Sequence, residues 1–154
     1  MSNEFESKIS DFFKRFGNSK LMVLATSQKN KVMARMMSCI ILDGIVYFQT
    51  DRKFEKYNQI IANPMVALCI DNVQIEGIAS VLGHTLDSNN RIFAQAYEIY
   101  HKGSFDLYSS LPDTFLIKVI PTKITLWEYD GKEPYRAFFD LENQIYLKEY
   151  YLKK

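Results

Sequence analysis

The side chains best placed to do chemistry in this sequence are cations. Between Gly17 and Lys56 there are seven basic residues, Lys20, Lys29, Lys31, Arg35, Arg52, Lys53 and Lys56, against Asp43, Asp51 and Glu55, a local surplus of four in a chain whose formal charge is only +1. Arg35 stands out because it lies among Met33, Met36 and Met37, where a guanidinium is costly to desolvate without an anionic or hydrogen-bonding partner. A phosphate is one such partner. Lys53 and Lys56 open the helical stretch that follows, where free backbone N–H groups and the positive end of the helix dipole also favour an anion. The plainer reading pairs Arg35 with a carboxylate and leaves the lysines on a solvated helix face, and charge alone favours it.

Other chemistry is sparse. The sequence has no phosphate-binding loop, no G-x-G-x-x-G, no G-x-S-x-G, no H-E-x-x-H and no C-x-x-C. Its two histidines, His84 and His101, fall near a strand end and a helix end and read as surface or dipole-capping residues, so no metal site is expected. Cys39 and Cys69 sit in apolar stretches and read as buried, inert thiols, which favours a reducing, cytoplasmic setting. Glu4, Glu6 and Asp11 interrupt the amino-terminal apolar stripe, against a secretory leader. No apolar run approaches membrane length, and the near-neutral total charge removes the broad basic footprint of a nucleic-acid coat.

The elements that must position these cations are legible from periodicity. Phe5, Ile9, Phe12, Phe13 and Phe16 fall on one stripe of a helix over 3–16, with Gly17 behind it. Strand patterns follow at Leu21 to Ser27, Val32 to Leu42 and Ile45 to Thr50, the last two joined by Asp43-Gly44, a dipeptide suited to a tight hairpin. A short helix runs from Lys53 to the Asn63-Pro64 stop, then strands at Met65 to Ile70 and Val73 to Leu82. Asp87 or Ser88 opens a helix to about Lys102, with Gly103 as its cap. Thr114 to Ile120 and Thr122 to Tyr129 read as two strands separated by Pro121, and Arg136 to Leu152 alternates weakly as strand. No linker divides residues 1–154, so a single domain is expected, with a barrel over about 20–130 and a C-terminal extension over 131–154. Seven or so strands with two or three helices, and no β-α-β alternation, make the class mainly β with peripheral helices around an antiparallel barrel or sheet. Ile40-Ile41-Leu42 and Ile45 to Phe48 are apolar on both faces, so one face fills the barrel and the other meets a helix or a second subunit.

In this order, Val23-Leu24-Ala25-Thr26, Arg35-Met36-Met37, Asp43-Gly44 to Gln49-Thr50, Lys56, Asn63-Pro64-Met65 and Ile75-Glu76-Gly77 resemble the pyridoxamine 5'-phosphate oxidase-like family of FMN-binding split barrels, over about residues 5 to 130. The resemblance implies a split β-barrel and a homodimer with FMN at the subunit interface. It points to Arg35, Met36, Met37, Ser38, Gln49, Thr50 and Lys56 as cofactor-binding residues, with Lys53 standing in for ligands that the family carries just before the lysine. Asn72, Trp127 and Arg136 match more loosely. The chain also departs from the true oxidases of vitamin B6. Phe54 and Glu55 replace a Ser and an Arg, Ile40 replaces the strand Lys that contacts substrate, and no Arg-x-His follows Trp127.

The function this implies is an FMN-dependent oxidoreductase, not a vitamin B6 oxidase, that passes electrons from a reduced nicotinamide to a small acceptor. No acid or base is nominated, and neither a nucleic acid nor a membrane is expected as partner. Two alternatives remain: a flavin- or haem-binding barrel that carries or senses without turnover, and an oligonucleotide-binding barrel that uses the basic strip.

Overall fold

The computed structural model describes residues 2–151; residue 1 and the last residues of the expected C-terminal extension, 152–154, lie outside them. The chain runs α1 (Ser2–Phe16), β1 (Ser19–Gln28), β2 (Lys31–Leu42), β3 (Ile45–Asp51), α2 (Glu55–Ala62), β4 (Met65–Ile70), β5 (Val73–His84), α3 (Arg91–Tyr100), α4 (Lys102–Tyr108), β6 (Thr114–Asp130), β7 (Glu133–Asp140) and β8 (Ile145–Tyr150). All eight strands join one antiparallel sheet in the order β3-β2-β1-β4-β5-β6-β7-β8, and an added β3–β6 pairing closes the first six into a barrel. The mainly β class and the split barrel expected from sequence are both observed.

The split follows from where strand pairing stops. Asp43 and Gly44 have φ of 50° and 75°, the left-handed pair that a tight hairpin needs and that aspartate and glycine tolerate. From that turn β2 and β3 pair only over Ile40–Leu42 with Ile45–Tyr47. Beyond it β2 follows β1 down to Lys31, while β3 follows β6 to Asp51. The barrel wall is therefore open between Met36–Ser38 on one side and Gln49–Asp51 on the other.

Two apolar cores flank this wall. The larger fills the barrel with Met22, Leu24, Phe48, Leu68, Ile117 and Ile124, and extends under α1, whose Phe5 and Phe12 rings meet Phe139 of β7 at 6.1 Å. The smaller lies outside the wall, where Ile40 and Leu116 pack under Phe93 and Tyr97 of α3. Among the described residues no helix is long and apolar enough to cross a membrane.

Three local expectations are corrected. The helix expected to end at Gly103 breaks earlier, at His101, whose Nε2 lies 3.0 Å from the Cys39 carbonyl oxygen; α4 then continues through Gly103, so a tertiary anchor and not the glycine sets the boundary. Pro121 does not divide two strands. It lies within β6 opposite Gly77 of β5, where the register shifts between Glu76 and Gly77, and such a bulge accommodates the missing N–H without ending the strand. Cys69, expected to be buried, is exposed, because it pairs with Val23 on the outer face of the barrel and successive strand residues alternate faces. Cys39 is buried as expected, and burial pushes its thiol up to about 12.

Candidate functional site

A cavity of about 380 Å³ occupies the split, with Met36, Met37 and Ser38 of β2 on one wall, Gln49, Thr50 and Asp51 of β3 on another, Phe54 and Lys56 at the start of α2, and α3–α4 as its cover. Where β3 has departed, the edge of β2 presents backbone N–H and C=O groups without a ladder partner, a ready hydrogen-bonding surface for a planar polar ligand. Met36 is 60% exposed while Met37 is 7% exposed, so the two lie on opposite faces of β2, Met37 packed into the barrel core and Met36 offering a polarizable outer surface.

Arg35 and Lys56 converge beside this cavity. Arg35 NH1 donates to the Leu24 carbonyl at 3.2 Å and to Thr26 Oγ1 at 2.9 Å. Thr26 in turn donates to Gln59 Oε1 of α2. The partner that strand burial demanded for Arg35 is thus a hydroxyl and a carbonyl, and among the described residues neither Arg35 nor Lys56 has a carboxylate within ion-pair distance. Glu55, the nearest charge to counter Arg35, engages Lys31 at 2.9 Å. Burial, and then the neighbouring Arg35 charge, hold the Lys56 ammonium below its ordinary pKa; burial lowers that of Arg35, partly offset by Glu55. Two cations held together without a carboxylate are an arrangement that an anion can complete.

The opposite end of the cavity is neutral and hydroxylated. Tyr97 Oη and Ser104 Oγ are 2.8 Å apart, and the Tyr97 hydroxyl is also within reach of Ser38 and Gln49, with burial raising its pKa. Gln49 Oε1 accepts from Ser109 Oγ at 2.8 Å, which fixes the amide beside the Tyr97 hydroxyl. The site therefore combines a cationic side, an unpaired strand edge, and a group of neutral hydroxyls.

Of the residues expected from sequence, Met36, Met37, Ser38, Gln49, Thr50 and Lys56 line the cavity, and Arg35 stands against Lys56. Lys53 does not join them: its ammonium pairs with Asp113 Oδ2 at 3.2 Å, beside Arg52 Nε on Asp113 Oδ1 at 2.8 Å, and this clamp ties the β3–α2 loop to the segment before β6. Asn72, Trp127 and Arg136 lie elsewhere on the same chain. Asn72 Nδ2 donates to the Trp127 carbonyl at 2.9 Å, Trp127 pairs with Arg136 across β6–β7, and Arg136 NH2 meets Glu149 Oε1 at 2.6 Å. Sequence reasoning missed Thr26, Gln59, Tyr97 and Ser104. Each is an ordinary polar residue in its local pattern, and nothing short of the tertiary arrangement signals it. A larger groove, of about 520 Å³, on β5–β8 is lined by Glu76, Asp140 and Glu142 against the single cation Lys123, and it lacks the complement of an anionic ligand.

The family model for pyridoxamine 5'-phosphate oxidase matches residues 5–128. No curated protein matches the chain. Among solved structures, ChuZ from Campylobacter jejuni has a TM-score of 0.68 at 17% identity, over 92% of this chain and 61% of that one. A pyridoxamine 5'-phosphate oxidase-related, FMN-binding protein from Nostoc punctiforme has a TM-score of 0.60 at 17% identity, over 86% of each chain. HutZ, the haem storage protein from Vibrio cholerae, has a TM-score of 0.58 at 17% identity, over 76% of this chain and 89% of that one. At these identities the likeness is one of fold.

Proposed function

This chain belongs to the pyridoxamine 5'-phosphate oxidase family, and we propose that it binds FMN in the β2–β3 cavity and passes electrons from a reduced nicotinamide to a small acceptor. The observation that carries the proposal is the Arg35–Lys56 pair, two neighbouring cations without a carboxylate partner, of which Lys56 lines a cavity whose other walls suit a flat, hydrogen-bonding ring. Arg35 offers a guanidinium edge and Lys56 a point charge to the phosphate, and Thr50 lies close by as a neutral hydroxyl. The β2 edge and the Gln49 amide take the polar edge of the ring system, with Met36 as an exposed apolar contact beside it. When bound, the flavin supplies hydride or single-electron transfer. The protein's part is to bind, to orient, and to keep water from one face by means of α3–α4.

Oxidation of vitamin B6 is not part of this reading. Ile40, at the position that matches the substrate-contacting lysine of the true oxidases, is fully buried under α3 beside Phe93 and Leu116 and does not line the cavity.

A homodimer completes the reading. Met36 belongs both to the cavity and to an outer sheet face on which Leu21, Val32 and Met65 are also exposed. A second copy on that face closes the cavity, and it is the route by which Asn72, Trp127 and Arg136, remote within one chain, reach a flavin.

The test is direct. Protein purified in excess FMN and then desalted is expected to be yellow, to release FMN on denaturation, and to bind FMN much more tightly than riboflavin. Bound flavin is expected to bleach with NADH or NADPH under anaerobic conditions and to recover on adding a quinone or nitroaromatic. A colourless protein whose melting temperature FMN leaves unchanged refutes the binding. A loaded protein that neither nicotinamide reduces refutes the electron transfer and favours a carrier.

A further inference from the structure

We propose that Thr26 and Gln59 are positioning residues for anion recognition: their buried hydrogen bond fixes the Arg35 guanidinium against the helix that carries Lys56, and leaves the Nε–NH2 edge of Arg35 as the fork that meets a phosphate. The inference deepens the FMN reading and rests on it.

The donor count sets the geometry. A guanidinium has five N–H groups and no acceptor. NH1 spends its two on the Leu24 carbonyl at 3.2 Å and Thr26 Oγ1 at 2.9 Å. Nε and NH2 are left with three donors, and on one edge they form the parallel pair that matches two phosphate oxygens. The Thr26 hydroxyl has one proton. Since Arg35 can only donate to it, that proton is free to go to Gln59 Oε1, which is the hydrogen bond observed. Thr26 is 2% exposed and Gln59 1% exposed, so each would be left with a buried, unpaired polar group if the other were lost.

Gln59 lies three residues after Lys56 on α2, so the two share neighbouring positions of one helix surface. A second tie reinforces the first: Asn63 Nδ2 donates to Ser27 O at 3.1 Å and Ser27 Oγ at 3.2 Å. Consecutive residues of β1 thus dock α2 and, through Thr26, also hold Arg35. One short relay sets the strand cation and the helix cation in register, with the Arg35 fork fixed before any ligand arrives. Holding a long side chain in its bound rotamer removes an ordering cost from binding.

FMN and riboflavin differ only in the phosphate, so their two affinities separate positioning from packing. Dissociation constants are measured by flavin fluorescence quenching on the full chain. Thr26→Val and Gln59→Met are each expected to weaken FMN about tenfold and to leave riboflavin within about twofold, while Thr26→Ser retains wild-type FMN affinity. In an Arg35→Ala background, Thr26→Val is expected to have no further effect on FMN, since the relay then has nothing to position. Either variant suffices if the other fails to fold. Parallel losses for FMN and riboflavin, or an undiminished effect of Thr26→Val without Arg35, overturn the proposal and assign the relay to packing. A wild-type protein with equal affinity for FMN and riboflavin is a different failure: it refutes the phosphate site itself and removes the inference with it.

Discussion

Lys56 shows how far a single residue's environment can be turned into a measurable consequence. Its ammonium is desolvated and lies beside the Arg35 charge, and both effects lower its pKa from the ordinary 10.5. The protonated form is the one that attracts a phosphate dianion, so its contribution to affinity is complete below the pKa and is lost as pH rises through it. Because the pKa is lowered, that loss begins below 10.5. FMN affinity is therefore expected to begin falling at a pH below the ordinary lysine range, riboflavin affinity to show only the titration of the flavin ring itself, and Lys56→Arg to carry FMN binding to higher pH. Fluorescence titrations of both ligands across that range check it, and an FMN curve that tracks the riboflavin curve removes Lys56 from the phosphate site. Arg35 was legible in the sequence because a cation inside an apolar strand is anomalous without a partner, and Lys56 because it stands near a helix start, where an anion is favoured. Thr26 and Gln59 were not, since a threonine in a strand and a glutamine in a helix violate no local rule. The same blindness explains Lys53, whose sequence position next to a helix start suited an anion but whose nearest carboxylate, Asp113, comes from sixty residues downstream.

Elements were read well where local chemistry fixes them and poorly where a distant contact does. The Asp43-Gly44 hairpin, the Asn63-Pro64 stop and the aromatic stripe of α1 all appear as expected, because each depends on residues adjacent in sequence. The α3–α4 break and the continuity of β6 through Pro121 depend instead on the Cys39 carbonyl and on the register shift against β5. The bulge beside Pro121 carries its own constraint. Gly77 stands opposite Pro121, and a Cβ placed there would lie 2.6 Å from Val119 Cγ1 and 2.7 Å from the Ile120 carbonyl oxygen. The second contact is with backbone, so a rotamer change cannot relieve it. Gly77→Ala is accordingly expected to destabilise the protein by about 1–3 kcal/mol, read as a lowered midpoint of chemical denaturation with an unchanged slope. A change under about 0.5 kcal/mol shows that the β5–β6 crossing opens freely and that closure of the barrel does not depend on this approach.

At the scale of the molecule the open question is what covers the outer face of the barrel. The two apolar runs that suggested either a helix or a second subunit, Ile40–Leu42 and Ile45–Phe48, are resolved in favour of a helix on their outer side, where α3 covers Ile40. The case for a second subunit shifts to a different face, on which Leu21 (54% exposed), Val32 (71%), Met36 (60%) and Met65 (67%) meet solvent and Cys69 sits beside Val23. Large side chains gathered on one sheet face are what an isologous interface presents, and among the described residues no helix covers the β1–β2–β4 strands there. Sedimentation of the wild-type chain is expected to give a dimer. Val32→Lys combined with Met65→Lys is expected to give a monomer with unchanged far-ultraviolet dichroism, weaker FMN binding, and faster modification of Cys69 by a thiol reagent. The coupling among these three readouts decides the matter: if the double variant becomes monomeric yet holds FMN as tightly as before, the flavin site is complete within one chain, and the remote trio of Asn72, Trp127 and Arg136 takes no part in it. A wild-type chain that sediments as a monomer and is modified at Cys69 at the same rate at every concentration leaves the face uncovered and removes the dimer from the proposal altogether.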